Sequence, residues 1–221
     1  MELNVDRNSV FVFDLDDTLY QEYSFLESSF RNISSYYVDF DSRIFEKMLD
    51  QYAQQKDVFG FLLNSWPDVF SSKTDLIQLY RNHIPEIELF PGVSNILDKI
   101  KAINCSIGLL TDGRSITQRN KIKALGLESV FDKVIVSEEF GSEKPTEKNY
   151  LVFYELNPNG KFFYFGDNLS KDFITPNGLG WDTICILDNG KNIHTQDFSL
   201  PNPYLPRHCI ESYFDISLIV D

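Results

Sequence analysis

This chain is short of positive charge. Its 221 residues carry 20 Lys and Arg against 33 Asp and Glu, a formal net charge of -13. A surface of that sign repels nucleic-acid backbones and anionic membranes, so neither is an expected partner. A small anionic substrate stays open, because local charge in a pocket can oppose the global sign. Cysteine is scarce too. Cys105, Cys185 and Cys209 are odd in number and not in metal-ligand spacing, which points to reduced thiols. No apolar run approaches the length of a membrane span. The first residues, Met1-Glu2-Leu3-Asn4-Val5-Asp6, lack the basic and apolar regions of a signal peptide. No internal repeat or low-complexity tract stands out. These absences lead us to expect a cytoplasmic, reduced protein; a monomer and a homodimer are both compatible with the sequence.

What remains is ordinary globular composition, 43% hydrophobic and 24% charged. The length suits one sizeable domain, or one domain with a smaller insert. The chain is organised around Val10–Tyr20, Val-Phe-Val-Phe-Asp-Leu-Asp-Asp-Thr-Leu-Tyr. Val10–Phe13 reads as a strand buried on both faces of a parallel sheet. Asp14, Asp16 and Asp17 then crowd together. Their mutual repulsion costs stability, and a bound cation would offset it. If the strand continues, Asp14 and Asp16 share a face, because side chains alternate.

From Tyr20 to about Glu88 the pattern is helical. Phe25, Leu26, Phe30, Ile33 and Tyr37 predict one helix. Asp41 or Ser42 is the expected N-cap of a second, with Ile44, Phe45, Met48, Leu49 and Tyr52 as its stripe. Phe59–Leu63 and Leu76–Tyr80 predict two more, separated at Trp66-Pro67. From Phe90 strand and helix alternate. Strands are expected at Ser106–Leu110, Val134–Val136, Phe162–Phe165 and Thr183–Leu187. Helices are expected after Pro91-Gly92, over Ser115–Leu125 with Gly126 as C-cap, after Thr146 as N-cap, and from Thr175-Pro176 to near Gly180. Asn189–Pro206 reads as a loop, and Cys209–Val220 is ambiguous between strand and helix.

Alternating β and α elements imply a parallel sheet with helices on both faces, an α/β fold of Rossmann-like type. Ligands of such sheets sit outside the carboxyl ends of the strands. Asp14, Thr111 and Asp167 each close a predicted strand, so three strands aim polar groups at one crevice. Phosphoryl transfer needs a nucleophile, a proton donor for the leaving group and positive charge around the oxygens. Asp14 is the candidate nucleophile and Asp16 the candidate general acid and base. Asp14 and Asp167 suit Mg²⁺, which prefers a few carboxylates, waters and a phosphate oxygen. Thr111, followed by the turn Asp112-Gly113, offers a hydroxyl and backbone N–H groups to phosphate oxygens.

Four stretches in this order resemble the motifs of the haloacid dehalogenase-like (HAD) hydrolases. They are Asp14-Leu15-Asp16-Asp17-Thr18-Leu19, Leu109-Leu110-Thr111-Asp112-Gly113, Lys144-Pro145, and Gly166-Asp167-Asn168 with Asp172. The resemblance spans about residues 9–187. It implies a HAD core, residues 1–19 and 89–221, and a type-1 helical cap, residues 20–88. It assigns the same roles to Asp14 and Asp16. It also implies Mg²⁺ held by the Asp14 carboxylate, the Asp16 backbone carbonyl, Asp167 and, directly or through water, Asp172. Lys144 becomes the cation that offsets nucleophile and phosphate.

Dehalogenases of the family lack an acid at the position of Asp16, so that residue argues for phosphate esters. Asp112 stands where many relatives carry Asn, and Asp17 where others carry Gly, which leaves the subfamily open. The expected substrate is a small phosphorylated metabolite: a sugar phosphate, a nucleoside monophosphate or a phosphoglycolate-like acid. Tyr20, Glu22 and Tyr23 are the first candidates for contacting it, and Arg114 is a further one. Asn64, Trp66, Lys56 and Arg119 follow. Two alternatives share the pattern: a phosphoglucomutase-like phosphotransferase, and a non-catalytic HAD-fold binding module.

Overall fold

In a computed structural model, Val10–Phe13 is a strand with every side chain buried. The structure describes residues 1–37, 39, 41–69 and 72–220. Phe11 and Phe13 enter one apolar cluster, while Val10 and Val12 enter another on the opposite face. Each such side chain contributes about 1.5–3 kcal/mol by leaving water. The Phe11 ring stacks on Phe163 at 4.8 Å and Phe13 on Phe165 at 4.6 Å, one strand away.

The strands are β1 (Glu2–Val5), β2 (Val10–Phe13), β3 (Ser106–Thr111), β4 (Lys133–Val136), β5 (Phe162–Gly166), β6 (Asp182–Ile186), β7 (His208–Ile210) and β8 (Ser217–Val220). Strands β4-β3-β2-β5-β6-β7 form one sheet in that order, and every pairing is parallel. The order steps outward in both directions from β2, which makes β2 central. Phe13 lies opposite both Leu109 and Phe165, so the last residues of β2, β3 and β5 reach one edge together.

Helices fill the connections: α1 (Glu22–Ser34), α2 (Ile44–Ala53), α3 (Val58–Ser65), α4 (Lys73–Asn82), α5 (Val93–Ala102), α6 (Ser115–Ala124), α7 (Ser137–Phe140), α8 (Lys148–Leu151) and α9 (Ile174–Gly178). Helices α1–α4 bury their own cluster, including Leu26, Phe30, Ile33, Met48, Leu62 and Leu76. The chain enters and leaves this helical stretch side by side. Tyr20 bridges Leu89, and the Phe90 N–H donates to the Leu19 carbonyl at 2.8 Å. Among the described residues no helix is long and apolar enough to cross a membrane.

Several local expectations change. Tyr37 is buried but lies beyond the end of α1. Helix α2 starts after Arg43; neither Asp41 nor Ser42 is its N-cap, because the Asp41 carboxylate instead accepts the Arg43 N–H at 2.9 Å. Thr146 caps nothing with its side chain, and the helix after it is a short α8 running into a 3-10 turn at Val152–Glu155. Thr175 lies inside α9, since its hydroxyl donates to the Pro145 carbonyl instead of capping. The ambiguous tail resolves into β7, a 3-10 turn at Tyr213–Asp215 and β8. Strand β8 pairs in parallel with β1, a strand the sequence reading did not anticipate.

Candidate active site

The ladder carries Asp14 into place: its N–H donates to the Phe165 carbonyl at 2.8 Å, one residue beyond β2. Asp14 is 6% exposed. Lys144, on the loop after α7, places Nζ 2.7 Å from Asp14 Oδ1 and 2.8 Å from Asp172 Oδ1. Asp172 is fully enclosed. Its Oδ2 accepts the backbone N–H of Asp167 at 3.2 Å and of Asn168 at 2.9 Å, which fixes the turn after β5. Gly166 makes room for this, because a Cβ there would sit 2.7 Å from Asp172 Oδ2.

Asp14, Asp167 and Asp172 each offer a carboxylate oxygen, and these oxygens lie within 4.8 Å of one another. Among the described residues Lys144 is the ammonium paired with Asp14 and Asp172. Burial pushes the Asp14 carboxyl up to about 7; Lys144 opposes the rise, and Asp172 and Asp16 add to it. Asp167 is raised well above the usual carboxylate range by burial first, then by Asp172 and Asp14. Burial alone would lower the Lys144 ammonium, but Asp14 and Asp172 outweigh it and hold it firmly protonated. A cluster of hard oxygen donors with surplus negative charge fits a divalent cation such as Mg²⁺. The charged form of each carboxylate is what the cation would stabilise.

Asp16 is held differently. Its Oδ1 accepts Tyr20 OH at 2.5 Å and Lys121 Nζ at 2.6 Å, and its Oδ2 accepts Gln118 Nε2 at 2.8 Å. Burial would raise this carboxyl, but the Lys121 charge and the hydrogen bonds from Lys121, Tyr20 and Gln118 hold it below the usual range. Gln118 Nε2 also donates to Thr111 Oγ1 at 2.5 Å. The Gly113 N–H donates to Ser137 Oγ at 2.9 Å. Asp112 accepts the Lys144 N–H at 3.1 Å and Lys171 Nζ at 2.9 Å.

Asp14, Asp16, Glu22, Asp112, Asp167, Asn168, Lys171 and His194 line the cleft over these strand ends. Glu22 opens α1, and burial followed by repulsion from Asp16 pushes its carboxyl up to about 8, against the pull of Lys121. Tyr20 does not line the cleft: it is fully buried, and its hydroxyl serves Asp16. Tyr23 sits nearby with Tyr52 and residues 190–193. Arg114 faces solvent and pairs with Glu138 at 2.6 Å, and Arg119 is taken up by Glu139. Trp66 packs on Tyr37 and Phe61, and Lys56 bonds Gln54.

Four contributors escaped the sequence reading: Gln118, Lys121, Lys171 and the segment 188–196. That segment, expected as a featureless loop, is built. Asp188 Oδ1 accepts the N–H groups of Gly190, Lys191 and Asn192 at 2.7, 3.0 and 2.9 Å. Asn192 Nδ2 then reaches Asp167 Oδ2 at 3.3 Å, and the Ile193 N–H reaches Asp17 Oδ2 at 2.9 Å. Gln196 donates to the Asp167 carbonyl at 3.0 Å. An Asp followed by Asn-Gly is a local turn signal, but nothing local says that the turn lands on the site.

A parallel sheet with a carboxylate cluster outside its carboxyl edge is the layout of a Rossmann-like α/β protein with its site at the strand ends. The family model described as haloacid dehalogenase-like hydrolase matches residues 11–186, and the chain belongs to that family. A glyceraldehyde 3-phosphate phosphatase of Methanocaldococcus jannaschii is 31% identical over 194 residues, covering 80% of this chain and 83% of that protein. The pyrimidine 5'-nucleotidase YjjG of Escherichia coli is 32% identical over 87 residues, 38% of each. In fold, the chain is similar to the magnesium-bound putative HAD-hydrolase YfnB from Bacillus subtilis, with a TM-score of 0.64 and 17% identity over 95% of this chain and 96% of that one. Within the family this chain is a phosphatase, a phosphoric monoester hydrolase.

Proposed function

We propose that this phosphatase is Mg²⁺-dependent, works through an aspartyl-phosphate on Asp14, and acts on a small sugar phosphate of triose size. The observation that carries the chemistry is the Asp14 carboxylate, enclosed, 2.7 Å from Lys144 and within 4.8 Å of the carboxylates of Asp167 and Asp172. The substrate class is suggested by the relatives named glyceraldehyde 3-phosphate phosphatase, which match about 80% of the chain.

In the first half, a carboxylate oxygen of Asp14 forms a bond to phosphorus as the ester P–O bond breaks. Asp16 gives a proton to the departing oxygen. In the second half, water attacks the acyl phosphate, Asp16 takes its proton, and inorganic phosphate leaves with Asp14 restored. Lys144 offsets the charge of nucleophile and phosphate, while the Thr111 hydroxyl and the Asp112 N–H seat the phosphoryl oxygens; the Gly113 N–H, also expected there, is taken by Ser137 Oγ. Asp14 and Asp167, with the Asp16 backbone carbonyl, would hold Mg²⁺; both Asp172 oxygens are already engaged, which favours contact through water. When bound, Mg²⁺ neutralises charge on the phosphoryl oxygens.

The Lys121 ammonium and the hydrogen bonds from Tyr20 and Gln118 favour the ionised form of Asp16, the state of a base. The negative charge of an arriving phosphate opposes Lys121 and favours the protonated acid. Residues 20–88 act as the cap in this reading: α1 brings Glu22 to the cleft, and closure excludes water.

The test is inorganic phosphate release from a panel of triose, pentose and hexose phosphates, nucleoside monophosphates and phosphoglycolate. Each is assayed with Mg²⁺ and with chelator, beside Asp14→Asn. Metal-dependent release that the variant loses is the expected result. Release by Asp14→Asn at the wild-type rate overturns the mechanism. Isomerised sugar phosphate without free phosphate would mark a phosphotransferase instead.

A further inference from the structure

Lys121 is 3% exposed, on a helix whose inward face is polar. Thr117, Gln118, Asn120 and Lys121 are all buried there. Thr117 and Asn120 are used structurally, bonding carbonyls of Arg81, Asn82 and His83 at the end of α4. Gln118 and Lys121, one turn apart, both turn to Asp16. Lys121 Nζ also lies 4.3 Å from the centre of the Phe25 ring and 4.0 Å from Glu22 Oε1, both on α1. Burying an ammonium is costly, and a buried ion pair is weak evidence of a stabilising role, because an apolar pair of the same volume often does as well. A charge placed here asks for a functional reason.

The geometry supplies one. An ionised carboxylate has about four acceptor positions, two on each oxygen. Tyr20 and Lys121 fill both on Asp16 Oδ1, and Gln118 takes one on Oδ2. Among the described residues the open position is on Oδ2. We propose that Lys121, with Gln118, is a positioning clamp that immobilises Asp16 and leaves Oδ2 as the oxygen that moves the proton. Gln118 ties the same unit to Thr111, so the proton-transferring oxygen and the phosphate seat are held in register. This inference rests on the reading of Asp16 as acid and base. As Asp14 bonds to phosphorus and the ester P–O bond breaks, the proton on Oδ2 passes to the leaving oxygen; in the second half Oδ2 takes it from water.

A misplaced acid hurts a poor leaving group more than a good one. The test compares kcat/KM for the best alkyl phosphate of the panel and for p-nitrophenyl phosphate, whose leaving phenolate needs little protonation. Lys121→Met should lose about 30-fold on the alkyl ester and about 3-fold or less on the aryl ester, a part of the roughly 100- to 10,000-fold that a general acid contributes. Lys121→Arg should recover most of the alkyl rate. In an Asp16→Asn background, Lys121→Met should change neither rate further. Equal losses on both esters, or no loss on either, overturn the clamp. If Lys121→Met does not fold by its thermal transition, Lys121→Gln is measured in its place; if neither folds, the lysine is a structural tie and the proposal falls. Wild-type alkyl kinetics in Asp16→Asn would instead remove the underlying reading of Asp16.

Discussion

Asp14→Asn should make the metal-free protein more stable at pH 8, although it removes the proposed nucleophile. Burial pushes the Asp14 carboxyl up to about 7 from an ordinary 3.8. A carboxyl raised in the folded state binds more protons there than in the unfolded chain between about pH 4 and 7. Stability from this group therefore falls as pH rises through that window, and the full penalty stands above about 7. Three units at 1.36 kcal/mol each give a ceiling of about 4 kcal/mol. Asn carries no charge to desolvate but is a weaker acceptor for Lys144, so we expect a gain of about 2 kcal/mol. For a chain of this length that is about 4–8 °C in Tm. Thermal unfolding in chelator should show the gap at pH 8 and show it closing at pH 5, where wild-type Asp14 is protonated. Mg²⁺ at about 100 times its Kd should return about 2.7 kcal/mol to wild type at pH 8 and much less to the variant. An Asn variant that melts at or below wild type in chelator at pH 8 refutes the reasoning, as does a gap that ignores pH.

Lys144→Met should abolish turnover and destabilise by about 3–5 kcal/mol at neutral pH, because it strands Asp14 and Asp172 without their cation; urea unfolding at pH 5, where Asp14 takes a proton, should show a smaller loss. Gly166→Ala drives a methyl group against Asp172 Oδ2. It should cost about 1–3 kcal/mol and weaken Mg²⁺ binding about 10-fold by calorimetry, and unchanged affinity would mean that Asp172 does not orient the cluster. Asp188→Ala releases the N–H groups of Gly190, Lys191 and Asn192 and so loosens the segment that carries Asn192 and His194 to the cleft. KM should rise about 5-fold with kcat within about 2-fold; steady-state kinetics on the best panel substrate decide it.

Much of this protein was legible in the sequence because the deciding forces are local or periodic. A run such as Val10–Phe13 can be satisfied only by burial on both faces, which made it central to the sheet. Strand ends at Phe13, Thr111 and Gly166 follow from hydrophobic runs stopping at polar residues, and parallel pairing then brings those ends to one edge. Asp14, Lys144, Asp167 and Asp172 meet there, as the resemblance of the four motifs implied. What the sequence could not say is which polar side chains turn inward. Gln118 and Lys121 lie on a polar helix face that reads as solvent-facing, and only packing against α1 and α4 buries it. Tyr20 directly follows the first motif, which makes it a candidate for substrate contact, yet its neighbours enclose it and turn its hydroxyl to Asp16. Strand β1 finds its partner more than 200 residues away in β8, a pairing that no local pattern encodes. The segment 188–196 reaches the site through a few hydrogen bonds to Asp17 and Asp167. Periodicity and motif order determined the sheet and its carboxylates. Long-range contact decided the surroundings of each carboxylate, because desolvation and ion pairing depend on neighbours that the chain brings from elsewhere.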